Sequence, residues 1–217
     1  MKKCIILANG KPPKKNVLTF FQKNNYKTLI CADGGVNSAY KLGLVPDCII
    51  GDLDSAQPGV LKYFTGKSKI IKVKRQNDTD VEKCLKYAIK KRYSEAVLLG
   101  VTGDRLDHSF CNMGIVLKFF GKIGLSLAAE NSFLKAYTGT VELTSVPGET
   151  ISLYGFDSRT KILSAGLKYP LKNTSLPFGK KESTSNESAA GKVRLKIRGG
   201  IIFVIRDFNF VKNNGLF

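Results

Sequence analysis

Apolar residues in the first part of the chain come in short runs, at residues 4–8, 28–32, 48–50, 70–73 and 96–101, separated by segments with a helical period. Short apolar runs bounded by turn signals read as buried strands, and strands alternating with helices predict a mostly parallel sheet. Between the last two runs, Val81, Cys84, Leu85, Ala88 and Ile89 fall at i, i+3, i+4, i+7 and i+8, one face of a helix. Thr79 and Glu82 form a capping box at its start, which places Asp80 in the first turn beside free backbone N–H groups. Another helix is expected after Leu106.

From about Ser126 the texture changes to strand-like pieces at 126–129, 133–137, 150–156 and 161–163, then 193–197 joined through Arg198-Gly199-Gly200 to 201–205. Residues 179–192 are rich in Ser, Lys and Glu without an apolar period, and read as a long exposed loop. The fold class expected is therefore α/β: a mostly parallel, Rossmann-like domain over residues 1–125, followed by a β-sandwich over 126–217.

Composition narrows the class without choosing a function. A chain of 217 residues, 43% hydrophobic and 24% charged, suits one or two small folded domains and excludes a wholly disordered or fibrous protein. Runs of this length fall well short of the roughly 20 apolar residues that span a bilayer, so no membrane role is expected. Met1-Lys2-Lys3 and the apolar run behind them imitate a signal peptide, but the run ends at once in Asn9-Gly10-Lys11 and reads as a first strand. Five cysteines form no CxxC pair and mostly sit inside apolar stretches, which points to reduced thiols and a cytoplasmic setting. The net charge of +18 would draw nucleic acid and nucleoside triphosphates alike.

The acids are better placed than the bases. In open α/β sheets ligands bind beyond the carboxyl ends of the strands. Asp33 follows one predicted strand, Asp52 and Asp54 follow the next within Gly51-Asp52-Leu53-Asp54-Ser55, and Asp80 opens a helix. Carboxylates about 4 Å apart repel by roughly 4 kcal/mol at an effective dielectric of 20, so such a cluster calls for a proton or a cation. Oxygen donors without nearby His or Cys favour Mg²⁺. Each acid taken singly also reads as a loop or capping residue. The stretch Gly100-Val101-Thr102-Gly103-Asp104-Arg105-Leu106-Asp107-His108 joins a strand to a helix, a weak phosphate-binding signal that is neither a P-loop nor a dinucleotide fingerprint. His108, the chain's single histidine, reads on position alone as a surface or capping residue.

Cys31-Ala32-Asp33-Gly34-Gly35, Gly51-Asp52-Leu53-Asp54-Ser55, Gln76-Asn77-Asp78-Thr79-Asp80 and the 100–108 stretch occur in the order and spacing of the thiamine pyrophosphokinase family, and the chain resembles its bacterial form. Gly166-Leu167-Lys168-Tyr169-Pro170-Leu171 and Ser183-Thr184-Ser185-Asn186-Glu187 extend the resemblance into the second half. What it implies is Mg²⁺-dependent transfer of a diphosphoryl group from ATP to the hydroxyethyl oxygen of thiamine, giving thiamine diphosphate and AMP. The first domain would bind ATP and Mg²⁺; the second would bind thiamine and form a homodimer with active sites at the subunit interface. By similarity Asp52, Asp54 and Asp80 would hold the metal, and Asp33, Asp54, Asp80 and Gln76 would serve catalysis. Gly100, Thr102, Gly103, Asp104, Arg105, Asp107 and His108 would carry ATP. Gln76, Thr79, Ser185 and Asn186 would meet thiamine, the last two from the partner subunit. Asp80 and Asp78 are the candidates for a general base. Departures from the family are Arg75 and Asn77 where acids are common, Asp104 where glycine is common, and the lack of tryptophan.

Two other readings fit parts of the chain. A related diphosphokinase acting on a hydroxymethyl pterin keeps the fold and changes the acceptor. A nucleic-acid binder accounts for the charge, but the lysines are scattered without aromatic stripes or zinc-finger spacing, so no specific nucleic acid is expected as a partner.

Overall fold

In a computed structural model describing residues 1–74, 77–103, 105–129 and 131–217, the apolar runs of the first half become the strands of a parallel sheet. The chain divides into two units, Met1–Ala129 and Glu130–Phe217.

The first unit runs β1 (Lys2–Leu7), α1 (Lys15–Lys23), β2 (Thr28–Ala32), α2 (Gly35–Lys41), β3 (Cys48–Gly51), α3 (Pro58–Phe64), β4 (Lys69–Lys72), α4 (Asp80–Lys90), β5 (Tyr93–Leu99), α5 (Leu106–Lys118) and β6 (Gly124–Ala129). Its strands lie in the order β6-β5-β1-β2-β3-β4 with every pairing parallel. Cys4, Ile5, Ile6 and Leu7 of β1 and Ala96 to Leu99 of β5 are fully buried, as central strands covered on both faces must be. The chain builds outward from β1 to β4, then returns to the other side of β1 for β5. The crevice at such a reversal is where open α/β sheets bind ligands.

Helix α4 packs on β1, β2, β3 and β5, burying Val81, Cys84, Leu85 and Ala88. It also buries Glu82 and Lys83, which its apolar face does not account for. The strand expected to open the second domain at 126–129 is instead β6, paired in parallel with β5. It completes the crossover β5-α5-β6, so the expected boundary at 125/126 falls inside the first sheet.

The second unit contains β7 (Ser132–Thr144), β8 (Thr150–Tyr154), β9 (Lys161–Ala165), β10 (Ser183–Glu187), β11 (Lys192–Asp207) and α6 (Phe208–Asn213). The two strands expected at 193–197 and 201–205 are one. Both halves of β11 run antiparallel to the same β7, which a hairpin at 198–200 would forbid. The register shifts between Ile197 and Ile202, and there β11 changes its second neighbour from β9 to β8, the way a strand turns the corner between layers. Ile151, Leu153, Ile162, Val193, Leu195 and Ile202 centre its core. Beside it Arg206 meets Glu149, with Nη2–Oε2 at 2.8 Å, and Ser145 Oγ donates to the same carboxylate.

The polar stretch 179–192 is not a loop throughout, because residues 183–187 pair antiparallel with β8 as β10. Hydrogen bonds rather than apolar alternation hold it. Asn186 Oδ1 accepts from Tyr169 N, and its Nδ2 donates to Tyr169 O and Ser183 Oγ.

Among the described residues no helix is long and apolar enough to cross a membrane. Cys4, Cys31, Cys48 and Cys84 are buried and Cys111 is exposed. Burial pushes the Cys4 thiol up to about 12 and moves Cys31, Cys48 and Cys84 the same way. Titration of the native protein with a chromogenic disulfide reagent should therefore count one reactive thiol, Cys111, and all five only after denaturation. Two or more fast thiols in the native state would contradict the packing described.

Candidate active site

Three carboxylates meet at the carboxyl ends of the strands. Asp33 follows β2, Asp52 follows β3 and Asp80 is the first residue of α4; one oxygen from each lies within 4.8 Å of the others. The backbone is shaped to allow this. A Cβ on Gly51 would stand 2.7 Å from the Asp33 Cβ and 3.2 Å from Asp80 Oδ1, so only glycine lets the three acids close up. Thr79 Oγ1 accepts from Glu82 N, and the Glu82 carboxylate accepts from Thr79 N, the capping box expected, which fixes the turn carrying Asp80. Ser55 N donates to Asp33 Oδ2.

One cation already serves the cluster. Lys83 Nζ lies 2.7 Å from Asp80 Oδ1 and 3.5 Å from Asp52 Oδ2. Burial pushes the Asp33 carboxyl up by more than its hydrogen bonds from Ser55 pull it down. Burial acts on Asp52 in the same direction, but there the Lys83 ammonium and the Asp54 backbone N–H outweigh it, and the carboxyl is held below its ordinary range. Among the described residues, Asp33 Oδ1 and Asp52 Oδ1 are buried without a hydrogen-bond partner. Buried oxygens of charged groups are costly to leave unmatched, and this oxygen-only donor set fits a hard divalent cation such as Mg²⁺. Asp54 stands outside the trio, exposed, with Oδ1 accepting from Ser55 Oγ.

Asp33 and Asp80 of the trio open onto a cleft of about 670 Å³ that also takes in Ala8, Asn9 and Gly10 after β1 and Gly100 to Gly103 after β5. These two loops are laced together: Gly10 N donates to Gly100 O and Lys11 N to Thr102 O, each at 2.7 Å. Gly100 has φ +64, and a Cβ there would meet Ala8 O at 2.6 Å. Its lack of a side chain thus serves the approach of the two loops. Thr102, Gly103, Arg105, Asp107 and His108 line the cleft as well. Arg105 grips Asp107 with Nε and Nη2, at 3.2 and 2.6 Å, and holds its carboxyl low; His108 N caps the same group.

Asp80 and Thr79 line the cleft, whereas Asp78 holds Lys86 at 2.6 Å, so of the two candidate bases Asp80 faces the cavity. Gln76 and Asp104 lie outside the described residues. In the second unit Ser185 is exposed with φ +52. Asn186 is 2% exposed and its amide is occupied by Tyr169 and Ser183. Two cleft residues and one residue behind the acids carry no motif that sequence reasoning would have used. Asn9 lines the cleft, Asn112 donates to Val101 O at 2.8 Å, and Lys83 sits on the acids. For Lys83 the signal was its place three residues after Asp80 on a turn of helix that is otherwise buried.

Two outcomes follow from this geometry. Gly51→Ala should cost about 1–3 kcal/mol in denaturant unfolding, by forcing Asp33 and Asp80 apart; an unchanged midpoint would show that the close approach is not needed. Burial works to raise the Glu82 carboxyl, but Lys118 and the Thr79 N–H outweigh it, so it titrates below its ordinary value of 4.5. A carboxyl lowered on folding stabilises fully above its unfolded pKa and loses that contribution as pH falls through its folded one. Glu82→Gln should therefore lower stability by about 1 kcal/mol near neutrality, with the difference shrinking in urea titrations at about pH 3.

Residues 21–126 match the family model for the thiamin pyrophosphokinase catalytic domain, and residues 139–202 that for the thiamin pyrophosphokinase vitamin B1 binding domain. The chain is 29% identical over 223 residues to thiamin pyrophosphokinase 1 of Caenorhabditis elegans, covering 96% of this chain and 90% of that one. It is 25% identical over 213 residues to thiamine pyrophosphokinase of Bacillus subtilis, covering 95% and 99%. The crystal structure of thiamine pyrophosphokinase from Bacillus subtilis superposes with a TM-score of 0.80 at 22% identity, over 95% of this chain and 99% of that one, and so shares its fold. With both domain models matched in order, and the acids of the cleft inside the catalytic match, the chain belongs to the thiamin pyrophosphokinase family.

Proposed function

We propose that the acid-lined cleft of the first unit is where this enzyme moves a diphosphoryl group from ATP to the hydroxyethyl oxygen of thiamine, giving thiamine diphosphate and AMP, with Mg²⁺ as cofactor. The observation that carries this reading is the convergence of Asp33, Asp52 and Asp80 with two buried oxygens unmatched among the described residues, beside the reversal point of a parallel sheet. Mg²⁺ held there would neutralise charge on the phosphate oxygens. The three acids hold it, and Asp54 extends the acidic rim toward solvent. Arg105, released from Asp107, offers a planar fork to phosphate oxygens, with Thr102 and His108 as further polar contacts. Asp80 accepts the substrate hydroxyl proton or orients that hydroxyl.

The second unit supplies thiamine contacts in this reading. Exposed Ser185 on β10 of one subunit reaches the cleft of the other in a homodimer. Asn186 contributes by shaping that strand, because its own amide is occupied. Four buried reduced thiols suit a cytoplasmic enzyme.

Incubation with ATP, Mg²⁺ and thiamine should give AMP and thiamine diphosphate in equal amounts, and a hydroxymethyl pterin offered instead should give neither. Asp52→Asn and Asp80→Asn should each lower turnover by about a hundredfold or more while circular dichroism is unchanged. Turnover of the pterin, or near wild-type rates in both variants, would overturn the assignment.

A further inference from the structure

Lys83 is not accounted for by acid-bound metal alone. Its side chain is 4% exposed, on a helix turn where Cys84 and Leu85 are fully buried, so it cannot swing out to solvent as a surface lysine does. Its ammonium reaches Asp80 and Asp52, and among the described residues Asp33 Oδ1 and Asp52 Oδ1 are still without a hydrogen-bond partner. Among the described residues, three carboxylates against one ammonium leave two negative charges uncompensated, the charge of one divalent cation. A cation entering alone would face a fixed positive charge already bound to two of its prospective ligands, and Mg²⁺ gives up water reluctantly. A cation arriving on a triphosphate brings anionic oxygens of its own, and for these the same ammonium is attractive.

We propose that Lys83 is a positioning residue that weakens the acid trio toward a free divalent cation, so that metal loads together with the nucleotide rather than before it. This rests on the metal reading of Asp33, Asp52 and Asp80 given above. In metal-free protein Lys83 holds Asp80 and Asp52 at their spacing. When a nucleotide-borne cation arrives, Lys83 keeps the trio from retaining the ion once the phosphates leave.

The test is Mn²⁺ binding, followed by electron paramagnetic resonance and calorimetry without nucleotide, in wild type, Lys83→Met, Lys83→Arg and Lys86→Met. Lys83→Met should bind Mn²⁺ about tenfold tighter than wild type or more. Lys83→Arg, which keeps the charge, and Lys86→Met, which removes a neighbouring charge paired with Asp78, should stay within about threefold of wild type. If Lys83→Met is too unstable for titration, its melting temperature should rise more with added Mn²⁺ than that of wild type. Equal or weaker Mn²⁺ affinity in Lys83→Met, or an equal or smaller melting shift, would overturn the proposal and leave the metal site standing. Absence of Mn²⁺ binding in wild type and variant, with and without ATP, would overturn both.

Discussion

Mutual repulsion among Asp33, Asp52 and Asp80 is the constraint around which the first unit is organised. Each acid comes from a different element, the end of β2, the end of β3 and the start of α4, so no single loop can relax to separate them. The parallel sheet fixes the first two. The cap of α4 and its buried apolar face fix the third, and a missing side chain at Gly51 gives them room. What the scaffold leaves uncompensated, Lys83 partly neutralises. Such an arrangement costs folding energy in the empty protein and is repaid only when something cationic arrives, which is common at sites that work by electrostatics.

The second unit solves a different problem with the same economy of polar groups. Its core is apolar, but β10 carries Ser, Thr, Asn and Glu and has no apolar face to seat it. Asn186 takes that role by imitating a backbone partner for Tyr169, while Ser152 Oγ accepts from Ser185 N. A polar strand of this kind resists casual pairing with other chains yet leaves residues such as Ser185 available.

Much of this was legible before any coordinates. The strands of the parallel sheet showed as apolar runs because both their faces are covered, and α4 showed as a clean period with a capping box, since caps are local chemistry. Asp33 and Asp52 could be nominated from their places after strands, and Asp80 from its place at the start of a capped helix. What stayed hidden was non-local. β10 was invisible because hydrogen bonds to distant residues replace hydrophobic alternation. β11 looked like two strands because Gly199-Gly200 also spells a turn, and only its shared pairing with β7 shows a bulge. The strand read at 126–129 as the start of the second domain is the end of β6 in the first unit; a strand's neighbours are not written in it. Lys83 was lost among many lysines; its burial against two acids depends on how α4 docks.

The pairing of β1 with β5 sets an order of events during synthesis. Lys3 lies opposite Glu95 and Leu7 opposite Leu99, so β1 is synthesised well before one of the two neighbours it pairs with. Until then β1 can pair only with β2, and the laced loops 8–11 and 100–102 cannot form. The ligand crevice is thus a late product of the nascent chain, and a polypeptide arrested before β5 emerges would carry the acids without the wall that faces them.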